Sequence, residues 1–393
     1  MIDQISSEYS DLIEAVKKSI PLALTESSET DSPNLFPEKT LQFLKDSNIF
    51  TACISTDFGG RDLGLKVGSN LALLTILKLI GSGNLVVGRI IEGHFNAQFL
   101  IGRYGTLEQK KRFAKDSFDG KLFGVWNTQA EDGVSLKFEK GRYQLNGSKT
   151  FATGTDYVSR PIVTASSQRK ESWQMCIVDL DEVSLKTDST WWNPMGMKAT
   201  RSYKVTFNNI PLPHNNLLGL YGNYYEQPYF SGGSVRFSAV QLGAAEILLS
   251  ETILYLQKLK RTEDLFQKMR IGQMRILIHS GNQWLKAAAE SMDVFTAVPS
   301  AENSNLFLDQ SNMVRIAIDE ICTEIMMLCQ KCIGARGLNK PHHFERIIRD
   351  LNTYIRQPAP DHTLLEIGKF ALGETPPVKN SFIKNIKKWI KLK

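Results

Sequence analysis

The sequence predicts an α+β chain in three successive parts: an N-terminal α-helical domain, a middle β-barrel or sandwich, and a C-terminal four-helix bundle. Three observations predict it. Apolar residues recur at three- and four-residue steps from Tyr9 to about Gly120, the period changes to two between Lys121 and Leu218, and helical spacing returns from Gly232. The boundaries expected from these changes are 1–120, 121–218 and 219–375, with 376–393 as a basic amphipathic tail.

In the first part, Leu12, Ile13 and Val16, then Leu41 and Leu44, then Leu71, Leu73, Leu74, Ile76 and Leu77 keep helical spacing, broken at Pro37, Gly59-Gly60 and Gly81 to Gly83. Residues 84–102 continue the pattern but carry Glu92-Gly93-His94, an ionisable pair astride a glycine in an apolar stretch. Such a pair is either bonded within the core or set at a site. In the middle part, residues 122–126, 134–138, 142–145, 148–153, 161–165, 174–178 and 202–207 read as short strands, with turns at Glu139-Lys140-Gly141 and Asn146-Gly147. The last strand sets Tyr203, Val205 and Phe207 opposite Lys204 and Thr206. Asn208-Asn209 then turn the backbone, and Pro211 and Pro213 are expected to end the sheet. Four amphipathic runs follow, 234–259, 265–294, 305–334 and 341–354, and their short connectors favour an antiparallel bundle. Beyond Pro376-Pro377, Phe382, Ile383, Ile386, Trp389, Ile390 and Leu392 lie opposite four lysines, a pattern suited to a partner protein or a peripheral membrane contact.

Composition narrows the function class. With 393 residues, 42% hydrophobic and 22% charged, the chain can build its own core. No apolar run reaches the roughly 18 to 20 residues that span a bilayer, so no transmembrane helix is expected. The first residues carry acids and no apolar stretch before a cleavage site, which makes a cytoplasmic location the expectation. Five cysteines, an odd and scattered number, read as reduced thiols, and the Cys329/Cys332 pair lacks further ligands at metal-binding spacing, so no metal is expected. The net charge of +6 lies largely in the tail, without a basic field or reading element for nucleic acid. Neither a Rossmann nor a P-loop glycine pattern occurs.

Longer strings carry more. GMKATRSYKVTFNNIPLP (196–213) with Leu218-Gly219 resembles the strand that closes the β-domain of the acyl-CoA dehydrogenase superfamily of flavoproteins. Asp57-Phe58-Gly59-Gly60, LFGVWNT (122–128), LNGSKTFATGTD (145–156) and HHFERIIRDLNTY (342–354) are similar to further family segments in the family's order. The resemblance implies FAD extended between β-domain and bundle and completed by a second subunit, hence a homodimer or homotetramer. It places Trp126 and Thr128 beside the isoalloxazine, and matches Phe151 and Thr153 to the family's Trp-x-Thr, with Thr153 aimed at the reactive ring edge. A donor aimed at that edge stabilises the charge that develops as flavin accepts hydride.

Departures from the family pattern set limits. An acid-rich loop becomes Thr128-Gln129-Ala130-Glu131-Asp132-Gly133, and the segment that meets the partner's FAD becomes Lys331-Cys332-Ile333-Gly334-Ala335-Arg336-Gly337, leaving Lys331, Gly334 and Arg336 as candidate contacts to its pyrophosphate. The family's catalytic Glu, eight residues beyond the Asp of Arg349-Asp350, falls on Pro358, and its alternative position falls near Gly233 or Ser234. A base must be a carboxylate or imidazole within hydrogen-bond reach of the proton, which leaves Glu92, His94 and Asp361. The resemblance thus implies an FAD-dependent oxidoreductase acting on the CH–CH group of an acyl thioester, CoA-bound or carrier-bound, with a flavoprotein or oxygen as electron acceptor. The alternatives are a flavin monooxygenase or oxidase on the same fold, with His94 assisting, or a non-catalytic binding module.

Overall fold

The computed structural model describes residues 7–139, 141–167 and 172–374. The tail at 376–393 lies outside the described residues. Five helices come first: α1 (Ser10–Glu29), α2 (Glu38–Asp46), α3 (Asn70–Gly83), α4 (Leu85–Tyr104) and α5 (Leu107–Phe118). α3 is apolar on nearly every side and buries twelve of its fourteen residues, as a central core helix does. Side chains set where the next two begin. Asn84 accepts the Val86 N–H ahead of α4, and Thr106 with Gln109 forms a reciprocal cap on α5.

The chain then forms β1 (Leu122–Trp126), β2 (Ser135–Glu139), β3 (Arg142–Ala152), β4 (Val158–Ser167), β5 (Ser172–Ile177), β6 (Lys186–Asp188), β7 (Tyr203–Leu212) and β8 (Leu217–Leu218). They make one mixed sheet in the order β6-β7-β3-β2-β4-β5-β8, with β1 added parallel to β4. β2 also runs parallel to the far end of β4.

Two expected turns are strand irregularities instead. Asn146-Gly147 does not turn the chain. β3 runs through it with a register shift against β7, and Gly147 takes φ 110° where a Cβ would strike the carbonyls of Asp132 and Gly133. Likewise the sheet does not stop at Asn208-Asn209. Asn209 at φ 50° kinks β7, the Asn146 side chain accepts its N–H at 2.9 Å, and pairing resumes to Leu212. Pro211 is tolerated there because β7 is bulged beside it.

The remaining helices are α6 (Tyr229–Gly232), α7 (Ser234–Lys258), α8 (Leu265–Ala297), α9 (Ala301–Gly337), α10 (Phe344–Tyr354) and α11 (Pro360–Ala371). α11 is additional to the expected four. Its Pro360 takes the first helical turn, where a missing N–H costs nothing. The stretch Tyr229–Lys258 is long and apolar enough to cross a membrane by length and composition alone, but 61% of its apolar window is buried inside the fold, as in a core helix.

Helix α7 lies so close to α3 that their backbones touch, and its Val240 side chain fills the space over a glycine of α4. A Cβ on Gly243 would collide with the Lys78 carbonyl, one on Gly81 with the Val240 carbonyl, and one on Gly88 with the Val240 side chain. Gly243→Ala is expected to cost about 3 kcal/mol or more, as overpacking of a tight core does. A lowered denaturant midpoint, followed by circular dichroism, checks it, and an unchanged midpoint would show that the helices stand further apart.

Candidate active site

A cavity of about 1170 Å³ opens between the sheet and the C-terminal helices. Its walls come from α4, the β1 and β3 ends, the α6–α7 junction, the start of α9, and α11. The size suits a cofactor ring together with a small substrate, since drug-sized ligands occupy roughly 300–1,000 Å³.

Of the residues expected at the site, three line the cavity. Thr128 and Phe151 form the sheet side. Phe151 is 51% exposed, at φ 52°, and packs edge-on against Trp191 and Trp192 with centroids 5.0 and 5.8 Å away. Glu92 lies on α4, 2% exposed, and receives Arg89 Nη1 at 2.5 Å and the Asn96 amide.

The others are elsewhere. Trp126 is buried, and its indole N–H donates to the Thr153 carbonyl at 2.9 Å, so neither face is open to a ring. The Thr153 hydroxyl is 2.9 Å from that of Ser202 and does not line the cavity, contrary to the expectation that it points at a flavin edge. Asp361 is solvent-exposed on α11, where its neighbours His362, Thr363 and Glu366 face the cavity instead. Lys331, Gly334 and Arg336 are exposed where α9 breaks at Gly334. They are sixteen residues or more beyond Arg315, the last α9 residue on the cavity wall, and at about 1.5 Å per residue that is roughly 24 Å away.

His94 is fully buried, with both ring nitrogens engaged: Nδ1 accepts the Phe123 N–H at 3.0 Å, and Nε2 meets the Phe50 carbonyl at 2.8 Å. A ring held between two backbones joins α4 to the sheet and has no nitrogen left for a substrate. Burial lowers its pKa from 6.5 to about 4.

Sequence reasoning missed several wall residues. Arg89 and Asn96 could have been found at helical spacing from Glu92. Arg236, on α7, donates from Nε to Asn96 Oδ1 at 2.5 Å and stacks 5.0 Å over Phe99, contacts from about 140 residues away that no local pattern shows. Asp309 lines the cavity with a buried, unpartnered Oδ1, and burial raises its pKa. Asn127 accepts from Thr164 and Tyr225 at 2.7 and 3.1 Å, and its carbonyl accepts from Lys149, a buried amine whose pKa desolvation lowers to about 7.

Pro358 stands where the family's base would be. Arg315 donates to its carbonyl and, at 2.9 Å, to Thr363 Oγ1, while Ala359 turns at φ 57° into α11. Among the described residues no group of metal-ligating side chains converges.

Residues 235–356 match the model of the acyl-CoA dehydrogenase C-terminal domain. The short/branched chain specific acyl-CoA dehydrogenase of Bos taurus mitochondria is 25% identical over 339 residues, covering 82% of this chain and 76% of that one. The chain is thus similar to the acyl-CoA dehydrogenase superfamily, through its C-terminal domain and along most of its length. Solved structures share its fold, helical at both ends around a mixed sheet. The butyryl-CoA dehydrogenase of Megasphaera elsdenii matches with TM-score 0.79 and 18% identity, covering 94% of this chain and 99% of that one. The dibenzothiophene monooxygenase of Paenibacillus sp. A11-2, solved with FMN and indole, matches with TM-score 0.83 and 19% identity over 95% of this chain and 99% of that one.

The buried histidine makes acid stability a sharp test. The unfolded chain takes up the His94 proton near pH 6.5 and the folded chain only near 4, so stability is full above pH 6.5 and is lost as pH falls through that window, by about 3 kcal/mol at most. His94→Gln should be less stable at neutral pH yet show a flatter midpoint between pH 7 and 4.5. An equally steep profile in the variant would assign the acid sensitivity to another group.

Proposed function

We propose that this chain is a flavin-dependent oxidoreductase of the acyl-CoA dehydrogenase superfamily, its cofactor ring held in the cavity by Thr128 and Phe151 on the sheet side and by the 357–363 segment opposite. The lining suits such a ring: an exposed aromatic at a strained backbone position, a hydroxyl beside it, and a mixture of apolar and polar side chains around them. A bound flavin supplies two-electron redox chemistry and, when reduced, reactivity toward oxygen. Lys331, Gly334 and Arg336 are open to contact from outside, where the adenosine diphosphate of FAD bound to a second copy would meet them in a homodimer or homotetramer.

The reading favoured is oxygen-dependent conversion of a small substrate rather than dehydrogenation of an acyl thioester. One observation carries it: the position of the family's base is a proline whose carbonyl is tied to Arg315. Two cavity carboxylates are also already paired, Glu92 with Arg89 and Glu366 with Lys369 at 2.8 Å. Asp309 supports the second reading. A carboxyl raised by burial and only partly bonded is suited to take a proton, and would make α9 the source of the base for an acyl-CoA or acyl-carrier thioester.

The readings separate in one experiment. Full-length protein reconstituted with FAD or FMN should be yellow and should stay yellow when butyryl-CoA and longer thioesters are added without oxygen. An external reductant should bleach it, and air should restore the colour. Bleaching by a thioester, lost at least a hundredfold in rate in Asp309→Asn, would overturn the oxygen-dependent reading in favour of dehydrogenation. Protein that stays colourless would leave the non-catalytic module.

A further inference from the structure

The α4 side of the cavity carries more positive charge than its own carboxylate answers. Arg89 and Arg236 flank Glu92, and Asn96 bridges the cluster, accepting from Arg236 and donating to Glu92. Glu92 already receives both Arg89 and Asn96. The other ionisable groups acting on the cluster are the Cys53 thiol and the Tyr224 and Tyr354 hydroxyls, all neutral because burial raises them. The sum over Arg89, Arg236 and Glu92 is one positive charge. Arg236 carries it: among the described residues its one hydrogen bond is through Nε, its one aromatic contact is Phe99, and burial disfavours its charged form.

The backbone adds to that charge. Arg236 sits in the first turn of α7, a 25-residue helix whose start has no side-chain cap and no acidic residue. Gly232, Gly233 and Ser234 line the cavity at that helix start. A cation at a helix N-terminus adds to the positive end of the macrodipole, where an anion is favoured instead. Beyond the guanidinium, Phe99, Tyr224, Phe230 and Phe237 give an aromatic wall.

We propose that Arg236, at the start of α7, binds an anionic group of the substrate, with its apolar body against the aromatic wall. The chemistry recognised is a carboxylate, sulfonate or phosphate on a small apolar molecule, so a neutral acyl chain is not the ligand this side of the cavity fits. The inference rests on the cavity being the active site of a flavin enzyme, but the charge excess belongs to the chain's own residues and is present with or without flavin.

Calorimetric titration of full-length protein with benzoate and with benzamide tests it, since the two differ mainly in charge. Benzoate should bind at least tenfold tighter. Arg236→Gln should bring the ratio to about one, and Arg236→Lys should restore part of it, because a lysine keeps the charge but not the fork. A ratio near one in the wild type, or a tenfold ratio surviving in Arg236→Gln, overturns the proposal. If Arg236→Gln does not fold, the wild-type ratio decides alone. The same anion could instead be the flavin's phosphate, so FMN and riboflavin are titrated in parallel: a preference for FMN that collapses in Arg236→Gln would move the site from substrate to cofactor and overturn the assignment. Colour separates the two readings. A tenfold ratio in protein that never turns yellow keeps the anion site and removes the flavin, whereas yellow protein with a ratio of one does the reverse.

Discussion

The structure depends on one partly buried clamp, formed by Arg349 and the buried Asp350 on α10. Asp350 accepts the Met197 N–H at 2.5 Å, and Arg349 donates to the Met195 carbonyl at 3.0 Å and pairs with Asp31 at 2.6 Å. Gly196 presses on the same turn of α10, where a Cβ would strike the Arg349 carbonyl, and its N–H meets Thr353 Oγ1 at 3.1 Å. Three parts of the chain distant in sequence are therefore held at one point: the loop after α1, the approach to β7, and the helix before the cavity-lining 357–363 segment. Breaking a charge pair that is taken out of water is far costlier than losing a surface pair, because it strands the other charge. The cavity exists only while the sheet and the helices keep this register.

The same economy of contacts explains the character of the cavity. Its aromatic walls come from residues that continue the core, while its charged end is assembled from α4 and α7, which pack closely where the Val240 side chain meets Gly88. Close helices leave little room for water, so the charges there interact strongly and each must be answered by a partner or a ligand. On the reading proposed above, α4 and α7 would select the substrate, and the sheet-borne side would hold the redox cofactor.

Much of the fold was legible because its periods are clean. The alternation through Tyr203, Val205 and Phe207 and the helical stripes on either side of the sheet are consequences of which faces are buried. Local signals misled where tertiary packing overruled them. Asn146-Gly147 looks like a hairpin turn, but Gly147 serves a close approach to the Asp132-Gly133 backbone, and Pro358 and Pro360 look like a loop although Pro360 begins a helix. At the site, Glu92 and His94 were found for the same reason, ionisable groups in an apolar run, yet one lines the cavity and the other bonds two backbones. Position on the helix decides between them, since they are two residues apart and so point some 200° apart around it. Arg236 and Asp309 gave no signal, because what sets them apart, Arg236 sharing Glu92 with Arg89 and Asp309 leaving a buried oxygen unpartnered, is a property of three dimensions.

α11 contributes a wall while burying one residue, Thr363, and it leans on α9 with Leu364, Leu365 and Leu372 left at the surface. An element with so little interior contact sits at the low end of the local stability range. Were it to come away, the aromatic interior would open while the sheet and the long helices kept their own contacts, and the bonds from Arg315 to Thr363 and the Pro358 carbonyl tie it down.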